Sequence, residues 1–200
     1  MNCLLFDHPS TITQDELMND ILLLPEWRRK KAMSYRFLID QVLCTKAYLL
    51  LQRGLIEYYG IDEELIFEYV GNGKPVLRGY PDIHFNLSHC KRSILCVIDN
   101  RPVGCDIEEI ETKLDLDLCR KCLNDKEISY VLSSTDPCLE FTKLWTMKES
   151  YLKLKGDGIN DNIAALFTRD LLDGITLDSH ICMEKGYVYS ICKFRDASTD

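Results

Sequence analysis

No stretch of this 200-residue chain approaches the roughly 18 to 20 uninterrupted apolar residues of a membrane span; the richest runs, at 21–24 and 47–51, are short. No membrane partner is expected. The first eight residues carry no basic leader, and their apolar stretch is too brief for a signal peptide, so the chain reads as cytoplasmic. Paired CxxC motifs are missing as well. The ten cysteines are scattered and Cys119-Arg120-Lys121-Cys122 is the single CxxC, which argues for free thiols in a reducing compartment over structural zinc or a disulfide framework. The GxSxG elbow of serine hydrolases is absent. Basic charge is the scarcer sign: 24 Lys and Arg against 32 Asp and Glu leave a net −8, which argues against broad nucleic-acid binding. Repeats, low-complexity tracts and flexible linkers are also lacking.

What is there is enough for a core, since 46% hydrophobic residues exclude a disordered acidic tail. The pattern predicts a strand over 3–6, helices over 13–24 and 32–53 punctuated by Pro25 and Gly54, a strand over 65–70, and a turn at Gly71-Asn72-Gly73-Lys74-Pro75. Strands over 83–88, 93–99 and 103–110 follow. Helices are expected over 116–123, 125–132 and 139–155, the last ended by Gly156-Asp157-Gly158, then strands over 174–177, 181–184 and 187–194. Both halves mix helices and strands in an α+β manner. Their charges differ: 12 basic and 13 acidic side chains stand up to Arg101, and 12 and 19 after it.

Three segments carry chemistry. In Gly104-Cys105-Asp106-Ile107-Glu108-Glu109 the two-residue period of a strand puts Asp106 and Glu108 on one face and turns Cys105 and Ile107 to the core. Two neighbouring carboxylates repel unless a cation neutralises them, and hard oxygen ligands suit Mg²⁺ or Mn²⁺; an exposed acidic strand end is the plainer reading. In the helix at 141–153, Phe141, Leu144, Trp145, Tyr151 and Leu152 form an apolar stripe that Lys148 interrupts. Glu149 borders it with Lys153 one turn on. A solvated pair worth a few tenths of a kcal/mol accounts for Glu149 and Lys153 but not for Lys148. At His84-Phe85-Asn86-Leu87-Ser88-His89, adjacent strand residues face opposite ways, so Ser88 and His89 are not a nucleophile and its base; they can donate to a phosphate, or merely close a strand. His8 and His180 read as loop histidines. Two basic features complete the set, the run at 28–31 with Arg36, and Lys74 in a glycine turn whose N–H groups can cradle an anion.

Taken in order, Gly73-Lys74-Pro75, Phe85-Asn86-Leu87-Ser88-His89, Gly104-Cys105-Asp106-Ile107-Glu108 and Trp145-Thr146-Met147-Lys148-Glu149-Ser150-Tyr151-Leu152-Lys153 resemble the 4'-phosphopantetheinyl transferase superfamily, in its Sfp-type branch. The resemblance implies an α+β fold, a pseudo-twofold arrangement of two similar subdomains (here 1–101 and 102–200) with coenzyme A between them. It also implies the reaction: transfer of the phosphopantetheine arm to a serine of an apo acyl carrier protein or carrier domain, releasing adenosine 3',5'-bisphosphate. By the same resemblance Asp106, Glu108 and Glu149 hold Mg²⁺, Glu149 also activates the carrier serine directly or through a water, Lys153 steadies or protonates the departing phosphate and Lys148 supports the pyrophosphate. Ser88 and His89 match contacts to the 3'-phosphate, Lys74 a nucleotide contact, and Arg28, Arg29, Lys30, Lys31 and Arg36 further contacts to coenzyme A.

The chain departs from the family pattern at three places. Cys44-Thr45-Lys46 stands where an arginine is usual, so Lys46 is the expected substitute; Cys105 replaces an aliphatic residue; Cys122-Leu123 replaces an aromatic pair facing the carrier. Two linked halves form a cleft without a second chain, which makes a monomer the expectation. A metal-dependent phosphodiesterase and a coenzyme A-binding adaptor are the competing readings; the complete set of three carboxylates and Lys153 weighs against the adaptor.

Overall fold

A computed structural model describes residues 1–156, 163–166 and 174–195. Strand β1 (Asn2–Asp7) leads into α1 (Gln14–Leu22), whose start is fixed by a capping box in which the Thr13 hydroxyl and the Glu16 carboxylate satisfy each other's backbone N–H. After Pro25 comes α2 (Glu26–Met33), then α3 (Leu38–Tyr59), ended by Gly60 at φ 68°. The helix expected over 32–53 is therefore two. The basic run lies inside α2, where the Arg28 and Arg29 guanidiniums are occupied by backbone carbonyls of Cys44, Leu22 and Leu24. Gly54 does not stop α3. It is buried against Leu4 and Ile98, where an added Cβ would lie 2.7 Å from Ile98 Cδ1.

The hairpin of β2 (Phe67–Val70) and β3 (Lys74–Leu77) follows, so Lys74 and Pro75 begin a strand instead of sitting in the turn. Then come β4 (His84–His89), β5 (Ser93–Asp99) and β6 (Val103–Glu109). In the second half α4 (Leu116–Cys122), α5 (Asp125–Ser133) and α6 (Pro137–Lys155) precede β7 (Ile175–Cys182) and β8 (Tyr187–Phe194). The two strands expected at 174–177 and 181–184 are one continuous β7. It is an edge strand paired only with β8, so a polar middle costs little, and His180 lies on it, stacked on Tyr189 at 4.7 Å. Gly156 closes α6 at φ 77°; Asp157 and Gly158, expected to share that role, fall outside the described residues.

Two antiparallel sheets, ordered β1-β5-β4 and β6-β8-β7, each carry a long helix, α3 on the first and α6 on the second. Strand β5 is buried along its whole length, with Ile94, Cys96 and Ile98 in the core under α3 and Leu95 and Val97 packed on Val103, Cys105 and Ile107 of β6. One strand thus serves two cores, and the halves share an interior. Where β4 and β6 run side by side, side chains replace a ladder: the Cys105 N–H donates to Asn86 Oδ1 at 2.9 Å and the Ile107 N–H to Ser88 Oγ at 3.3 Å. A second polar joint has Asp7 accepting from Lys185 and from the Tyr187 hydroxyl. All ten cysteines are free thiols. Among the described residues no helix is long and apolar enough to cross a membrane.

Candidate active site

Gly104 sets the closest approach in the second half. An added Cβ there would lie 2.1 Å from Ser150 O and 2.3 Å from Leu154 N, so only glycine lets α6 lie directly on β6. That contact brings Asp106 of β6 under Glu149 and Lys153 of α6. The Lys153 ammonium donates to Asp106 Oδ1 at 2.6 Å and to Ser88 Oγ at 3.0 Å, and the Ser88 hydroxyl donates to the same Asp106 oxygen at 2.7 Å. Three elements from both halves meet in one ring.

Around that ring negative charge is in excess. Asp106 is 2% exposed and Glu149 6%, and Asp106 Oδ2 and Glu149 Oε1 are buried without a hydrogen-bond partner. Glu108, on the Asp106 face of β6, has its pKa pushed up to about 7 by burial and then by the charges of Asp106 and Glu149, against a hydrogen bond from Trp145. Burial raises Glu149 too, with Asp106 adding to the shift and Lys153 opposing it. Burial alone would lower the Lys153 pKa, but Asp106 outweighs it and holds the ammonium charged. Three carboxylates against one ammonium, two of them with an orphaned oxygen, fit a divalent cation in donor type and in charge. Among the described residues no three such groups already converge into a ligand cluster, so a cation would have to draw them in.

A cavity of about 270 Å³ opens on the His89 face of β4, lined by Arg28, Lys31, Tyr35, Asp40, Cys44 and His89, among others. Burial and the nearby Lys153 lower the His89 pKa. Lys31 and His89 thus line one cavity; Arg36 is not in that lining, its guanidinium lying over the Phe37 ring. Lys46 does not replace the missing arginine either, being held by Asp20 at 2.7 Å. Arg28, from α2, donates to Cys44 O at 2.9 Å and lines the cavity beside it. Ser88 is not in the lining of this cavity; its hydroxyl, on the opposite face of β4, serves Asp106, Lys153 and the Ile107 N–H.

Two further lysines stand elsewhere than the resemblance implied. Lys148 is fully buried, and its three N–H bonds meet Glu127 Oε2 at 2.7 Å, Cys122 O at 2.8 Å and Ile163 O at 3.1 Å; an ammonium so enclosed has no donor left for a pyrophosphate. The Lys74 ammonium is likewise taken by Lys153 O at 2.7 Å, Val103 O at 3.2 Å and Leu154 O at 3.3 Å, while the residue lines a cavity of about 260 Å³ together with Lys153. Cys122 and Leu123 are both buried and present nothing to a partner. Asn86 and the Trp145 indole are site-forming residues to which the sequence gave no specific role; Arg28, one of the basic residues the resemblance implied for coenzyme A, lines the cavity with Lys31 and His89.

The family model for the 4'-phosphopantetheinyl transferase superfamily matches residues 102–192, the stretch holding Asp106, Glu108, Glu149 and Lys153. A Bacillus pumilus protein named 4'-phosphopantetheinyl transferase psf-1 is 33% identical over 187 residues, 86% of this chain and 80% of the relative. The 4'-phosphopantetheinyl transferase Sfp of Bacillus subtilis is 27% identical over 195 residues, 90% and 87% of the two chains. One from Nostoc, HetI, is 31% identical over 161 residues, 76% and 63%. With its three carboxylates and its lysine gathered on β6 and α6, this chain belongs to the 4'-phosphopantetheinyl transferase superfamily.

Proposed function

We propose a division of labour by which this chain, a 4'-phosphopantetheinyl transferase, moves the arm of coenzyme A onto a carrier-protein serine. The serine oxygen bonds to the phosphorus bearing the pantetheine, the pyrophosphate P–O bond breaks, and adenosine 3',5'-bisphosphate leaves. Such a step asks for little covalent help and much charge neutralisation. The observation that supports the assignment is the Ser88–Asp106–Lys153 ring beside two orphaned carboxylate oxygens.

Asp106, Glu108 and Glu149 would hold Mg²⁺ or Mn²⁺, which when bound neutralises pyrophosphate charge and polarises the phosphorus. Glu149, its basicity raised by burial, accepts the serine proton directly or through a water. Lys153, oriented by Ser88 and Asp106, neutralises the departing phosphate. His89, Lys31 and Arg28 line the cavity suited to the remaining phosphate of the nucleotide. Residues 1–101 thus supply the cationic nucleotide wall and 102–200 the carboxylates, within one chain acting as a cytoplasmic monomer on an apo carrier protein. The test is to incubate the protein with coenzyme A, Mg²⁺ and an apo carrier protein and record the carrier's intact mass. One added phosphopantetheine is expected. An unmodified carrier with tight coenzyme A binding would mark an adaptor, and cleavage of coenzyme A without transfer a phosphodiesterase.

A further inference from the structure

Helix α6 ends within one turn of Lys153, and the last four carbonyls of a helix have no partner inside it. Here Gly156 N–H returns to Leu152 O, while Lys153 O and Leu154 O find a donor outside the helix. Both accept from the Lys74 ammonium, 79 and 80 residues away in sequence, and the third N–H goes to Val103 O at the start of β6. The Lys74 stem crosses the capping glycine, where an added Cβ on Gly156 would touch Lys74 Cδ at 3.8 Å. A cation at the negative end of a helix is favourably placed, and this one comes from the opposite half of the molecule.

We infer that Lys74 is a positioning residue for transfer: by clamping the backbone of Lys153 to the head of β6, it fixes where the Lys153 ammonium meets Asp106 and Ser88. The inference rests on the reading of Lys153 as the group that neutralises the departing phosphate. It also gives the hairpin of β2 and β3 a purpose, since that hairpin belongs to neither large sheet yet delivers the clamp. Removal of Lys74 leaves two helix-end carbonyls without their cation and lets the last turn of α6 drift. A displacement of about 1 Å in a phosphate-neutralising group is enough to cost up to about 100-fold in turnover.

A double-mutant cycle on the full-length enzyme tests this, with Lys74→Met, Lys153→Ala and both together, measuring kcat, KM for coenzyme A, and amide hydrogen exchange across 150–156. Lys74→Met is expected to lower kcat about 10- to 100-fold with KM changed less than about threefold, to speed exchange in the last turn of α6, and to cost almost nothing more in the Lys153→Ala background. Lys74→Gln, which keeps N–H donors without the charge, should recover part of kcat, and it carries the same cycle if Lys74→Met does not fold. A rise in KM with kcat retained would overturn the inference in favour of direct contact with the nucleotide. Losses that multiply in the double mutant would overturn it as well. If Lys153→Ala alone keeps full turnover, the underlying reading of Lys153 falls, and that result is distinct from a failure of the Lys74 clamp.

Discussion

Two of the lysines on helix α6, five residues apart, each meet a carboxylate from another element, Glu127 for Lys148 at 2.7 Å and Asp106 for Lys153 at 2.6 Å. By distance the pairs are equivalent. Their surroundings are not. Lys148 is wholly enclosed, and its carboxylate partner also closes the capping box of α5 by accepting the Asn124 N–H, so donors and acceptors are matched on both sides. Lys153 is 30% exposed, its partner keeps an orphaned oxygen, and the neighbouring Glu149 keeps another. Closely matched buried polar groups act as a joint that holds α4, α5 and α6 together. A cluster with unmet acceptors instead marks a place where something else must bind, because leaving such groups buried costs roughly 1–3 kcal/mol each.

The comparison breaks most visibly at the carboxylates. Glu149→Ala or Glu108→Ala should remove transfer, with a loss of at least about 10²-fold for the proposed base, while circular dichroism and thermal unfolding stay near wild type. Loss of the fold in either would show that this side, too, is structural. Gly104→Ala is expected to come next, since its methyl collides with backbone atoms of α6 and separates Asp106 from Lys153. Both turnover and stability should fall, seen as a lower urea midpoint together with reduced kcat.

The lysines themselves provide the third contrast. Lys148→Met leaves the half-buried Glu127 without its cation and three backbone carbonyl acceptors without their donor, and should cost on the order of 3 kcal/mol in urea unfolding, with kcat of the folded fraction changed only a few-fold. Lys153→Met should show the reverse split, with small loss of stability and large loss of kcat. The smallest effect concerns protons. Glu108 has its folded pKa raised from 4.5 to about 7, so the fold binds that proton more tightly than the unfolded chain. This contribution to stability is full at low pH and is lost as pH rises through about 7. A divalent cation needs the ionised form, so its affinity, measured by calorimetry, should weaken up to about tenfold per unit below pH 7 and level off above it.

Much of the active face was legible in the sequence because it obeys short-range periods. The two-residue period paired Asp106 with Glu108, and the helical repeat set Glu149 one turn before Lys153. The charge inside the apolar stripe correctly marked Lys148 as unusual, but its partners include backbone carbonyls and a capping glutamate from separate turns, and such acceptors have no residue signature. Lys74 shows the same limit, since a lysine in a glycine turn looks ready for an anion until α6 arrives to use it. Arg28 was visible as charge and invisible as geometry, its reach depending on how α2 crosses α3. The polar centre of β7 hid a strand because edge strands tolerate what interior ones do not.

The account turns on Asp106 joining the halves and facing the proposed cation with its free oxygen. Its most direct test is the intact mass of an apo carrier protein after incubation with coenzyme A, Mg²⁺ and either the wild-type enzyme or Asp106→Asn, an isosteric change that keeps contact with Ser88. The wild type should convert the carrier to its phosphopantetheinylated mass, and Asp106→Asn, still folded, should leave it unmodified over the same period. Full conversion by Asp106→Asn at the wild-type rate would contradict the proposed site.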